Sequence, residues 1–354
     1  MKIGITGANG FIGNHLTKYL ARRGHEVFAY VQPGTSTATL DGTAAAIFYG
    51  DIEDSASFDP FLERCEAVFH LVAVNQYWAA DPAIFHRVNY LGTRALVESC
   101  IKHQIKKFVH VSSCITLGAS DTPVARSETS AFNLNAVPLA YAHTKKLAED
   151  WIKEQVRDRG FPAVIVHPGS AIGESDYGPT PIGRSILDIS RGRWPVYVAG
   201  GACFVDIRDL VHGLWLALEK GRVGEQYLLS GENITNREFM TRVSQSAGRS
   251  RPCVRIPGFL LSLLAHAGEW LADHVFKKAP PLTLGMRALV GKFIYFDNAK
   301  AVAELGFHPQ PCGPAIQRSI DWFRESGRLG VAGFQQHRNS AMAATSSVPA
   351  SSST

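Results

Sequence analysis

No two of the six cysteines stand in a C-x-x-C pair, and no histidine among thirteen sits in an H-E-x-x-H or mixed Cys/His ligand spacing. A dithiol redox motif and a zinc site are therefore excluded, and no metal is expected. Cys65, Cys100, Cys114, Cys203, Cys253 and Cys312 read as reduced, mostly buried thiols. They imply a reducing compartment, the cytoplasm. Charge is not gathered in blocks: the net value of +5 is spread along the chain, which argues against a nucleic-acid partner. Lys106-Lys107 and Lys277-Lys278 are expected to be solvated surface pairs. A strand pattern opens at Lys2, where a secretory leader would need a basic and then a long apolar region, so the sequon at Asn233 is expected to carry no glycan. No internal repeat is visible.

Also missing is an apolar run of about 20 residues, the length a membrane-spanning helix needs. Residues 257–276 come nearest, but His266, Glu269, Asp273 and His274 interrupt them. Three readings stay open for this stretch: an amphipathic helix packed on the body, a greasy wall of a substrate pocket, or a patch that touches a membrane surface peripherally. From residue 329 the chain turns Ala/Ser-rich and ends in SSVPASSST. Such a composition buries too little apolar surface to offset its ordering entropy, so residues 329–354 are expected to be disordered.

What the chain does have is length and alternation. At 354 residues and 45% hydrophobic it can bury a large core. Strand patterns at 2–6, 26–31, 45–49, 67–71, 107–112 and 163–166 alternate with helical patterns at 11–23, 55–64, 82–103 and 141–159. That order predicts an α/β fold with a doubly wound parallel sheet, its ligand lying outside the carboxyl ends of the strands. The first unit is the most specific. An apolar strand runs directly into Gly7, Gly10 and Gly13, and a helical pattern follows. Glycines there allow a tight turn and close backbone approach, and the helix N-terminus can hold a pyrophosphate: a Rossmann dinucleotide site, with G-x-x-G-x-x-G in place of G-x-G-x-x-G.

Tyr141 and Lys145 stand at i and i+4, neighbours on one helix face. They follow Ser112-Ser113 at the end of an apolar strand. With these residues the chain resembles the extended short-chain dehydrogenase/reductase superfamily over residues 2–322. The resemblance is carried by TGANGFIG at 6–13, GDIED at 50–54, VFHLVA at 68–73, VNYLGT at 88–93, VSSCITLG at 111–118, YAHTK at 141–145 and HPGSAIG at 167–173. Within that superfamily it is most similar to the branch of dihydroflavonol reductases, 3β-hydroxysteroid dehydrogenases and hopanoid-associated sugar-epimerase-like proteins. The resemblance implies a dinucleotide-binding domain at 1–168 and about 203–230. It also implies a smaller, discontinuous substrate lobe at about 169–202 and 231–326, with residues 204–229 returning to the sheet.

The same resemblance assigns roles. Tyr141 is the acid/base that protonates an alkoxide. Its ordinary pKa near 10 is poorly matched to neutral pH, and Lys145 is the nearby charge expected to lower it. Lys145 is also expected to hold the nicotinamide ribose. Ser113 is the hydroxyl donor, because Gly118 follows at the family's S-x-x-x-x-G distance, and strand alternation turns Ser112 the other way. Asn89 matches the N-x-x-G-T asparagine, either catalytic or a polar tie between helix and sheet. Gly7, Gly10 and Gly13, with Phe11 and Ile12, are expected on the pyrophosphate, and Asp51 on the adenine. Ala73 is expected beside the cofactor, Pro168 and Ser170 beside the nicotinamide.

One departure concerns the end of strand two. Val31 and Gln32 stand where relatives carry an acidic or a basic residue, and no Lys or Arg lies between Glu26 and Arg64. A 2′-phosphate would lack a charged partner, so NAD(H) is favoured over NADP(H), with Gln32 on the ribose hydroxyls. Arg22 or Arg23 could reverse that choice. Two activities remain open. One is interconversion of a ketone and a secondary alcohol on an apolar small molecule, with Asn75, Tyr77 and Trp78 against the substrate. The other is nucleotide-sugar epimerisation with retained NAD, drawing cations from Arg184, Arg191, Arg193 or Arg287. Cys114-Ile115 replaces the acidic pair that dehydratases carry, which counts against dehydration. The complete Ser113, Tyr141 and Lys145 set argues against a catalytically silent scaffold. A homodimer is expected by resemblance alone.

Overall fold

The computed structural model describes residues 1–193, 196–249, 254–280 and 282–329; Cys253 and the tail beyond residue 329 lie outside them. The first half is the expected alternation. It runs β1 (Lys2–Thr6), α1 (Phe11–Arg22), β2 (Glu26–Val31), β3 (Ala46–Tyr49), α2 (Asp59–Leu62), β4 (Ala67–His70), α3 (Thr93–Lys102), β5 (Lys107–Val111), α4 (Ala140–Arg159) and β6 (Ala163–Pro168). Thereafter come β7 (Ser170–Ile172), α5 (Pro181–Ser190), β8 (Val196–Tyr197), β9 (Gly201–Asp206), α6 (Ile207–Lys220), β10 (Gln226–Leu229), β11 (Glu232–Thr235) and α7 (Asn236–Ser246). The chain closes with β12 (Val254–Arg255), α8 (Gly258–Leu271), α9 (Leu284–Ala288), β13 (Phe293–Ile294), α10 (Ala299–Leu305) and α11 (Gly313–Glu325).

Seven strands form one parallel sheet in the order β10-β6-β5-β4-β1-β2-β3. Its inner strands are buried on both faces, which is why they read as apolar runs and not as alternations, while the edge strand β3 is largely exposed. One face packs Ile3, Ile5 and Val109 against α1 and α6. The other packs Phe28, Val68 and Phe108 against Phe58, Phe61 and the α3 and α4 residues Leu96, Val97 and Ile152. Each large apolar side chain so buried contributes about 1.5–3 kcal/mol. The strand order reverses between β1 and β4, and that reversal opens a crevice above their carboxyl ends.

Two expected elements are altered locally. The helix expected at 55–64 is a 3-10 turn capped by Asp54, then the single turn α2, with Pro60 near its start. The helix expected at 82–103 starts at Phe85 and has wide π-type turns as far as Gly92 before α3. Beyond β6 a second sheet forms from β11, β9 and β13, with β7 alongside β9, and β12 pairs with β8. Residues 204–206 therefore end a strand of the small sheet. The return to the main sheet comes through α6 and β10.

Candidate active site

The crevice begins at the glycine turn. Gly7 has φ +69°, a left-handed conformation that glycine adopts without strain. Gly10 N–H donates to Gly7 O at 3.0 Å, closing the turn. A Cβ at Gly13 would stand 2.1 Å from Gly7 O, so the helix can lie this close to the turn only with glycine there. α1 then starts on Gly10 with no side-chain cap and no acidic residue in its first turn. Its forward amides, those of Phe11, Ile12 and Gly13, form a positive helix end at the strand reversal. A pyrophosphate fits this cradle: the backbone is close, the donors are free of acidic competition and no Cβ fills the turn.

Gln32 lies exposed just past β2, and its Nε2 donates to Asp51 Oδ2 at 3.4 Å. The two residues expected on the ribose and the adenine are thus adjacent. Arg22 and Arg23 are at the other end of α1, roughly 16 Å along the axis from the glycine turn. Arg23 instead stacks on the Tyr19 ring, 4.6 Å from its centroid.

On α4, Tyr141 and Lys145 share the face turned to β5. Lys145 is only 1% exposed, and its Nζ donates to Val111 O at 2.8 Å and lies 3.4 Å from His110 Nε2. Burial lowers its pKa to about 8, with the Glu149 carboxylate opposing. The Tyr141 phenol departs from the sequence expectation. Burial raises it well above the ordinary tyrosine value, and the Ser113 hydroxyl beside it pulls the other way. Burial of the phenol outweighs the help of its neighbours, and the Lys145 ammonium makes its hydrogen bond to the Val111 carbonyl.

Ser113 and Ser112 diverge as alternation requires. Ser113 begins the turn at Cys114–Leu117, its Oγ accepting from Ile115 N at 3.5 Å, and lies beside Tyr141. Ser112 is buried and donates to Glu149 instead. Asn89 is fully buried and ties three elements. Its Oδ1 accepts from Val74 N at 2.7 Å, and its Nδ2 donates to Val74 O at 3.3 Å and Thr144 Oγ1 at 3.2 Å. It clamps the loop after β4, where Ala73 lies, to the helix that carries Tyr141. Pro168 ends β6, and Ser170 opens β7 on the far side of the crevice.

Beneath Lys145 lies a polar layer that the sequence reading missed. His70 and His110 are register partners on β4 and β5, with ring centroids 5.5 Å apart. His70 bonds Thr6 Oγ1 at 2.8 Å and Thr93 Oγ1 at 2.9 Å. Burial pushes His70 down to about 3 and His110 well below the usual imidazole value, so both are neutral at pH 7. Glu149, one turn past Lys145, is also fully buried. Its Oε1 accepts from Thr116 Oγ1 at 2.5 Å and lies 3.5 Å from His167 Nδ1. A signal for Glu149 was available, since it continues the four-residue spacing of Tyr141 and Lys145. The histidines gave none, because only the fold brings them together.

The wall around Tyr141 is apolar. It packs in a cluster with Ile115, Leu139, Ala142, Leu289 and Ile294. Tyr77 exposes one flank of its ring, 36% of the residue, but its hydroxyl end is buried near Tyr141 and Cys114, and that burial raises its pKa. Trp78 is half-buried, and its Nε1 donates to Asp273 Oδ1 at 2.9 Å. Asn75 is exposed at the rim. Of the four arginines named for a sugar diphosphate, Arg191 and Arg193 lie on Asp188, and Arg287 donates to Ser262 Oγ at 2.7 Å. Only Arg184 stands exposed on α5 without such a partner among the described residues. A cavity of about 640 Å³ opens along α4, lined by Thr116, Phe132, His143, Lys146, Glu149 and Lys153 but not by Tyr141. Among the described residues no cluster suited to a metal ion occurs, and no helix is long and apolar enough to cross a membrane.

Comparison with known proteins follows this geometry. The sequence model of the NAD dependent epimerase/dehydratase family matches residues 3–230. The chain is 31% identical over 329 residues to sterol demethylase protein B of Methylococcus capsulatus, covering 92% of this chain and 99% of that protein. It is 30% identical over 345 residues to a 4-hydroxy-2-methyl-3-oxo-4-farnesyl-3,4-dihydroquinoline-1-oxide ketoreductase of Stigmatella aurantiaca, covering 96% of this chain and all of that one. Among solved structures it resembles a nucleoside-diphosphate-sugar epimerase from Pseudomonas aeruginosa. The TM-score is 0.75 and the identity 26%, with coverage of 92% and 98%.

Proposed function

The chain belongs to the NAD dependent epimerase/dehydratase family, and from that membership we propose that it interconverts a ketone and a secondary alcohol on an apolar, isoprenoid- or steroid-like molecule. As a member it is an NAD(P)-dependent dehydrogenase or reductase. The observation that carries the finer reading is the apolar packing about Tyr141, which lies with Leu289 and Ile294 against the buried Ile115, Leu139 and Ala142. Sites with mostly apolar surroundings take apolar ligands and orient them by a few polar groups. The sterol and farnesyl-quinoline substrates in the names of the two relatives support the same class. The arrangement of arginines supports it from the other side. A sugar diphosphate calls for converging cations, and three of the four candidates are engaged elsewhere.

A nicotinamide bound here supplies or accepts the hydride at the carbinol carbon. Tyr141 hands its proton to the carbonyl oxygen in reduction and takes it back in oxidation. A phenol raised by burial stays protonated at pH 7, but as a weaker acid than free tyrosine it yields that proton only to a strongly basic oxygen such as the alkoxide formed by hydride transfer. Ser113, beside Tyr141, donates to the same oxygen as charge develops there. Lys145 holds the ribose hydroxyls and Gln32 those of the adenosine side, with Asp51 at the adenine. The lean to NAD(H) over NADP(H) rests on Gln32 and on the lack of any Lys or Arg in the sequence between Glu26 and Arg64.

The test is a screen of purified protein with NADH or NAD+. Apolar cyclic ketones and alcohols are compared with UDP-sugars, following reduced-nicotinamide absorbance and sugar stereochemistry. Turnover of the apolar set is expected. Epimerised UDP-sugar without net change in NADH would overturn the reading and establish an epimerase with retained cofactor.

A further inference from the structure

Of the seventeen large apolar residues exposed in the described chain, seven fall within residues 260–276. This concentration is not the scatter normal on soluble proteins; it marks a surface that touches something apolar. α8 buries Leu261 and Ala265 against the body, as the turn after it buries Ala272. Its opposite stripe carries Leu260, Leu263, Leu264, Trp270 and Leu271, with Leu263 67% exposed. The wide turn at Ala272–Phe276 adds Val275 and Phe276, the latter 62% exposed. A helix of fourteen residues laid along the body in this way presents an apolar stripe about 21 Å long.

We propose that the outer face of α8 and its following turn docks on an anionic lipid surface. The occupant is chosen by charge and by side-chain type. The two acids of the segment are tied back to the protein: Glu269 Oε1 accepts from Leu284 N at 2.6 Å, and Asp273 accepts from Trp78. The cations keep their charge outward: Lys278 is exposed just beyond Phe276, Lys277 beside it is exposed while donating to the Asp273 carbonyl, and Arg255 is exposed just before the helix. An apolar face flanked by cations, with a tryptophan in the stripe and a phenylalanine at its edge, is the pattern of a helix lying in the headgroup region. The part of the chain past residue 329 has few large apolar residues in its sequence with which to cover such a face.

The experiment is flotation of the full chain with vesicles of phosphatidylglycerol and phosphatidylcholine in equal parts, against phosphatidylcholine alone. The expected result is binding to the anionic vesicles. It should fall at least tenfold in the double variant Leu263→Glu, Trp270→Glu and at least threefold in Lys277→Glu, Lys278→Glu. The lysine variant alters exposed charges only and keeps the test decisive if the first pair of substitutions disturbs folding, which circular-dichroism melting will reveal. The proposal is overturned by absence of binding, or by equal binding of a folded variant. It is also overturned if light scattering shows a dimer that Leu263→Glu, Trp270→Glu converts to monomer, which would place a second copy on this face. Binding that appears only after removal of residues 330–354 would assign the face to the tail and overturn it equally. None of these readouts involves turnover, so they stand or fall apart from the proposed reaction.

Discussion

Replacing Lys145 by methionine is expected to make the cofactor-free protein more stable while destroying its activity. Burial lowers the Lys145 pKa from 10.5 to about 8. Below pH 8 the folded protein keeps the proton at full cost. Between about 8 and 10.5 the unfolded chain binds more protons, so the cost falls as pH rises. At 1.36 kcal/mol per unit the penalty is about 3 kcal/mol at pH 7 and about 1.4 kcal/mol at pH 9.5. Methionine keeps the length of the side chain and fills the space, but it loses the bond to Val111 O, worth about 1 kcal/mol. The net gain at pH 7 is then about 2 kcal/mol, shrinking to roughly zero at pH 9.5. Urea unfolding of both proteins at the two pH values measures this. Adding NADH at 100 times its Kd stabilises the wild type by about 2.7 kcal/mol. The variant, which has lost a cofactor contact, gains less, and its lead at pH 7 narrows. A variant less stable than wild type at pH 7, or a gain that is the same at both pH values, would refute the reasoning.

Three further expectations are direct. Tyr141→Phe should cost at least about 100-fold in turnover, the usual worth of general acid catalysis, with cofactor titrations unchanged; near-wild-type turnover at pH 7 would remove the tyrosine from its role. Gln32→Arg should shift preference toward NADPH by a charge-assisted contact of roughly 1.5–3 kcal/mol, read from paired NADH and NADPH titrations. Tighter NADPH binding by the unaltered protein would contradict the lean to NAD(H). Gly13→Ala should weaken cofactor binding at least about tenfold, some 1.4 kcal/mol, because the new methyl meets Gly7 O at 2.1 Å and pushes the helix start away from the turn; an unchanged Kd by fluorescence titration would count against that cradle.

The first half of the fold was legible because local pattern and tertiary role coincide there. β1 is an apolar run since both its faces are buried, and Gly7, Gly10 and Gly13 announce the turn by the residues only it needs. The second half was not, because its sheet joins segments far apart. β9 pairs with β7, β11 and β13 in strands of two to six residues, too short to show a period. In the site, Tyr141 and Lys145 were visible by spacing, but the direction of the Tyr141 pKa was not. Charge neighbours can be guessed from i and i+4 positions. Burial, and the hydrogen bond of Lys145 to the Val111 carbonyl, cannot. His70 and His110 illustrate the same limit: forty residues apart in the chain, they meet only through strand register.

The two bonds that bracket residues 75–77 have a mechanical consequence. Val74 is pinned to Asn89 inside the sheet domain, and Trp78 is pinned to Asp273 at the end of α8. Three residues bridge these anchorages, a span with about 10 Å of reach when fully drawn out. Tyr77 therefore sits on a short bridge with both abutments fixed, and it has little slack of its own. For the bridge to lift off the Tyr141 phenol, either the Trp78 indole lets go of Asp273 or the end of α8 travels with it. While the bond from Trp78 to Asp273 holds, access to the reacting centre and the posture of the turn after α8 move together.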